Sequence, residues 1–143
     1  MLANLLVGLA TMVLCLIMQA LLVSLAVRFY ARRKHLVVGG SFAATMFLLC
    51  AVMLLLVLGN ALQIGIWAGV FMLLEEFNTF SVAVYHSAVN FATLGYGDIV
   101  MSEQHRLLGP LEAVNGVLMI GVSTAVVMWA LQDAMQGAVA EQN

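Results

Sequence analysis

Residues 93–98 read Thr-Leu-Gly-Tyr-Gly-Asp and stand between two apolar runs. The chemistry this stretch offers is that of backbone carbonyls and one hydroxyl. A potassium ion leaves water only where oxygens replace its hydration shell. A strand with successive carbonyls facing one axis supplies such oxygens, and four strands close them into cages. Aiming consecutive carbonyls the same way needs unusual φ/ψ at alternate residues, which glycine reaches at little cost; Gly95 and Gly97 have that spacing. On this reading Thr93, Leu94, Gly95 and Tyr96 present oxygens to K+, with Gly97 completing the ion-binding strand. The Thr93 hydroxyl adds a ring at the inner end, and the Leu94 and Tyr96 side chains point away from the ions and wedge the strand against its surroundings.

The elements that must position this strand are membrane-spanning. Of 143 residues 64% are hydrophobic and 8% charged, with a mean hydropathy of +1.10, which excludes an ordinary soluble domain. Leu2 to Val27, about 26 residues without a charge, is long enough for one tilted span and is read as a permanent helix, since it lacks the basic start of a cleaved leader. Of its polar residues, Asn4 is read as an isolated group, and Gln19 as either that or an interhelical hydrogen-bonding group. Residues 28–35 then carry four of the five Lys and Arg residues: Arg28, Arg32, Arg33 and Lys34. This basic loop is expected on the cytoplasmic side, in contact with anionic lipid headgroups, which places the N-terminus outside.

The run from Gly39 to Leu74 would reach roughly 50 Å as one helix against a hydrocarbon core of about 30 Å. It is expected to tilt, bend or emerge outside, with Gly59, Gly65 and Gly69 as weak points and Trp67 as an interfacial anchor. Glu75 and Glu76 either gather cations at a pore mouth or simply end the helix in solvent. Asn78 or Thr79 caps a short helix from about Phe80 to Ala92, too short to cross and leading straight into the strand. Its C-terminal end carries the partial negative charge that favours a cation. His86 is read as a packed polar aromatic. A last span runs from Leu107 to about Gln132, with Pro110 and Glu112 early; capping is the simpler account of Glu112, bracing the strand from behind the other. The C-terminus then lies in the cytoplasm.

Other chemistries find little support. Cys15 and Cys50 lie inside apolar runs and read as small packed residues rather than a disulfide or metal site. The sequence has no HExxH, no nucleophile elbow and no paired acids at helical spacing, so no enzyme and no cofactor is expected beyond potassium as the permeant ion. The single short basic cluster does not point to nucleic acid.

From Thr93 to Asp98 the sequence resembles the filter signature of the potassium-channel pore-module family, T-[V/I/L]-G-Y-G-D, and the resemblance extends from about Gly40 to Gln132. It implies an all-α membrane protein with three transmembrane helices, a re-entrant pore helix and a selectivity filter, assembled as a homotetramer in the cell membrane. Residues 1–38 form an extra helix and basic loop, and residues 39–143 the pore domain. The resemblance further implies that Tyr85 hydrogen-bonds Asp98 to support the filter. Val89 stands where some members carry a glutamate, and Leu94 where valine is commoner. Arg106 and Gly116 reproduce the family spacing from a basic residue to a hinge glycine, and Gly121 matches a second small residue. Cavity and gate then fall to Gly116, Val117, Ile120, Gly121, Thr124 and Met128, four of them one helical face at i, i+3, i+7 and i+11. Residues after Gln132 are too few for a nucleotide- or calcium-sensing domain. The function implied is passive, selective potassium conduction; a weakly selective cation channel and a non-conducting modulatory subunit are the alternatives.

Overall fold

The computed structural model describes residues 1–33 and 42–140. Four helices follow in order: α1 Leu2–Arg32, α2 Phe42–Leu73, α3 Phe80–Phe91 and α4 Leu108–Ala140. Three of them, over Leu2–Arg32, Phe42–Leu73 and Leu108–Gly137, are long and apolar enough to cross a membrane; α3 is not. Among the described residues there is no strand. The protein is an all-helical, multi-pass membrane protein.

Apolar contact between the long helices gives two cores. At one end Ala26, Tyr30, Leu48, Val52, Leu56 and Ala130 pack α1, α2 and α4 together. At the other, Cys15, Trp67, Phe71, Ala83 and Leu108 draw in α3 as well. Small residues set how closely the helices approach. A Cβ on Gly8 would lie 2.5 Å from Leu111 Cδ1, and one on Gly59 2.5 Å from Leu22 Cδ1. Without lipid-excluding hydrophobic drive inside a membrane, such close backbone approach is what lets dispersion hold helices together.

Several expectations need correcting here. The glycines are not weak points of the second span: α2 runs unbroken over 32 residues, and Gly59 is a crossing point with α1, whereas Gly65 and Gly69 face open space. Trp67 is fully buried against Phe71 rather than at an interface, because α3 folds back over that end of α2. The first helix continues through Arg32, so Arg28 and Arg32 stand on its last turns rather than in a loop. Lys34, Gly39 and Gly40 lie outside the described residues.

Two hydrogen bonds fix which ends lie together. Asn4 Nδ2 donates to the Gln104 carbonyl, tying the start of α1 to the loop that follows residue 98. At the other end Tyr30 Oη stands 3.1 Å from both the Ala130 carbonyl and Asp133 Oδ2 of α4. Arg28, Arg32 and Arg33 therefore lie at the end opposite Asp98. Between these ends Gln19 joins a buried polar chain. Its Nε2 donates to Ser123 Oγ at 3.0 Å, and its Oε1 accepts from Gln63 Nε2 at 2.8 Å. Asn115 extends the chain to Gln63 Oε1, and Asn60 to Ser123, each at 3.4 Å. Asn4 thus ties α1 to a loop and Gln19 is an interhelical tie; neither is an isolated polar group.

Candidate ion-conduction site

The site begins where α3 ends. Thr79 caps that helix, its Oγ1 accepting from the Val82 N–H at 3.4 Å. At the far end the Thr93 and Leu94 amides fold back on the last turn, donating to the Asn90 and Val89 carbonyls at 2.8 and 2.9 Å. The chain then leaves in an unusual conformation. Thr93 has φ +59°, Gly95 +58° and Gly97 +74°, whereas Leu94 and Tyr96 between them stay out of the left-handed region. Backbone that alternates between mirror-image regions turns successive peptide groups to the same side. Two of the three left-handed positions are glycine, where that conformation carries no Cβ penalty; at Thr93 the sequence had not suggested it.

Residues 92–98 are exposed on the protomer, with Leu94 at 54% and Tyr96 at 66%. Their side chains are therefore not wedged against anything within their own chain. Support comes instead from the Asp98 end. Tyr85 Oη donates to Asp98 Oδ2 at 2.7 Å, and this bond is the main cause holding the Asp98 carboxyl below its usual range. The next residue of α3, His86, packs edge-on to Phe71 and beside Phe77. Its Nδ1 lies 3.0 Å from the Ile99 carbonyl and its Nε2 2.8 Å from Asn90 Nδ2. A carbonyl only accepts, so Nδ1 carries the proton and Nε2 accepts from Asn90. A cleft of about 550 Å³ behind residues 93–97 is lined by His86, Val89, Asn90, Arg106 and Ala113, among others.

The two acids after α2 behave differently from each other. Glu75 is exposed with φ +57°. Glu76 turns inward: it accepts from the Ser102 amide at 2.8 Å and the Ser102 hydroxyl at 2.6 Å, and pairs with His105. Burial alone would raise its carboxyl, but the Ser102 and His105 contacts outweigh that and hold it below the usual range. Glu76 thus pins the loop after the strand and does not stand free at a mouth. Glu112 is not a cap either. It is the fifth residue of α4, fully buried, with its Oε1 2.5 Å from Ser87 Oγ of α3.

On α4, Gly116 is buried where that helix meets the end of α3; a Cβ there would lie 2.0 Å from the Phe91 carbonyl oxygen. Close approach therefore accounts for this glycine. Val117, Ile120, Gly121, Thr124 and Met128 are all exposed, on the side away from buried Glu112, Asn115, Met119 and Ser123. The Thr124 hydroxyl donates to its own helix at the Ile120 carbonyl, 2.9 Å away.

Sequence reasoning missed Ser87 and Asn90 behind the strand, and the chain through Asn60, Gln63, Asn115 and Ser123. The available signal was the i, i+3 spacing of Asn60 and Gln63 inside an apolar helix. No curated protein and no solved structure matches the chain. A family model described as an ion channel does match, over residues 61–133: the last part of α2, all of α3, the alternating strand and most of α4. That stretch is just over half of the sequence and contains every element just described around the strand except α1, so the chain belongs to this two-transmembrane, potassium-channel-like family of ion channels.

Proposed function

We propose that the protein conducts potassium passively and selectively through a homotetrameric pore in the cell membrane. The observation that carries this reading is the alternation of left-handed backbone at Thr93, Gly95 and Gly97, a pattern that suits turning the carbonyls of residues 93–96 toward one side. One strand cannot surround an ion. Four copies about an axis complete the oxygen shell, and the exposure of Leu94 and Tyr96 on the single protomer fits side chains that pack against neighbouring copies. The exposed face of Val117, Ile120, Thr124 and Met128 then lines a cavity, with Met128 lowest, where four α4 helices close by dewetting an apolar ring. Arg28, Arg32 and Arg33 sit at the end opposite the filter, which supports a cytoplasmic C-terminus, an external N-terminus and anionic lipid beside the arginines.

Rubidium uptake into vesicles holding the purified protein tests conduction, and excess sodium tests selectivity. Uptake that potassium suppresses and sodium does not is the expected result, together with a tetramer by native mass measurement. Equal suppression by sodium would make this a weakly selective cation channel. No uptake from an assembled protein would make it a modulatory subunit.

A further inference from the structure

Ser87 has one hydroxyl proton and two oxygens within hydrogen-bonding distance: the Ile64 carbonyl of α2 at 2.8 Å and Glu112 Oε1 of α4 at 2.5 Å. The carbonyl can only accept. If Glu112 were ionised it too could only accept, and one of the two contacts would press lone pair against lone pair. Both are hydrogen bonds only if Glu112 carries a proton and donates it to Ser87, whose own proton goes to Ile64.

The surroundings agree. Glu112 is fully buried, its hydrogen-bond partner is the neutral Ser87 hydroxyl, and its Oε2 has no partner. An ionised carboxylate without a counter-charge is among the most unfavourable groups to bury. The titratable groups facing it are Cys15 from α1 and, beyond Asn90, His86 from α3; α2 presents only the Ile64 carbonyl and neutral amides. His86 is itself neutral by the same count of protons, since Asn90 donates to its Nε2.

We infer that Glu112 is a positioning residue held as the neutral acid, whose proton completes a tie among α2, α3 and α4 directly behind the filter. The tie continues outward. Ser87 follows His86 directly on α3, and His86 holds the Ile99 carbonyl, one residue beyond Asp98. Losing the Glu112 proton removes the donor to Ser87 and sets two acceptors against each other at the root of this path. The filter then loses its support from behind as pH rises. This inference rests on the ion-channel reading for its effect on flux, but not for the protonation itself.

Two measurements test it on the full-length protein. Infrared spectra of the protein in membranes at neutral pH should contain a carboxylic-acid carbonyl stretch that E112Q lacks, and S87A should shift that band by removing the acceptor. In vesicles, rubidium uptake by the wild type should fall about tenfold between mildly acidic and strongly alkaline pH, the factor expected for one buried hydrogen bond. E112Q, whose amide donates at every pH, should keep its uptake level across that range. A spectrum in which E112Q removes no acid band overturns the inference whether or not the protein conducts. So does an uptake profile that E112Q leaves unchanged.

Discussion

Tyr85 on α3 and Asp98 at the far end of the strand are joined by a 2.7 Å hydrogen bond across thirteen residues of chain. The bond closes a loop around residues 93–97 and anchors their far end to the helix that launches them. Tyr85→Phe removes it without changing ring volume. We expect rubidium uptake to fall several-fold and become more variable between preparations, with assembly unchanged. Uptake equal to wild type would show that the strand holds its shape without this anchor.

Gly95→Ala and Gly97→Ala place a Cβ at φ +58° and +74°. Each costs on the order of 1–2 kcal/mol per chain, four times over in a tetramer, and the backbone escapes by turning carbonyls off the axis. Neither glycine has an atom within 4 Å of that Cβ on its own protomer, so the strain is local. Potassium-suppressible uptake should vanish while the protein still reaches the membrane. Unaltered uptake in either variant would remove the ion-binding assignment.

Gly116→Ala should fail for a different reason. Its Cβ would stand 2.0 Å from the Phe91 oxygen, a backbone atom that cannot move without shifting the end of α3. Overpacking of this kind costs about 1–3 kcal/mol or more. The expected outcome is a lower thermal midpoint and reduced yield in detergent, with serine no better than alanine. A variant of full stability with altered opening alone would instead make Gly116 a hinge.

Glu76 gives the pH dependence of the outer loop. Its carboxyl is held below the ordinary range in the folded protein, so the contribution of its bonds is present above the unfolded value, about 4.3, and is lost as pH falls through the lower folded value. Hydrogen exchange at the Ser102 amide, which donates to Glu76 Oε2, reports this directly. Protection relative to a neighbouring helix amide should hold at neutral pH and disappear only in strong acid. In Glu76→Gln it should be weaker and insensitive to pH over that range.

Gln19→Leu cuts α1 from both partners, since Gln63 and Ser123 each lose a bond to it. Interhelical hydrogen bonds in membranes average about 0.6 kcal/mol, so two lost bonds with buried groups left unpaired come to roughly 1–3 kcal/mol. Melting in detergent should begin at a lower temperature. If α1 is only loosely docked, the midpoint will not move.

The helices themselves were legible because bilayer thickness and hydrogen-bond closure leave an apolar run of this length a single choice of structure. The α3 start at Phe80 followed from local chemistry, which left Asn78 and Thr79 both open as its cap, and the glycines at 95 and 97 from backbone sterics. Those are properties of a residue and its near neighbours. What lay between distant segments was not legible. Nothing within a few residues of Glu112 says that its partner is Ser87, twenty-five positions earlier, nor that Gln19 meets Ser123 across 104. Trp67 looked like an interfacial residue until α3 folded over it, and that Phe91 comes against Gly116 could not be read from the residues around either. A polar or small residue in an apolar helix announces that something approaches it; which atom approaches is decided by how the helices cross, and only the packed structure specifies that.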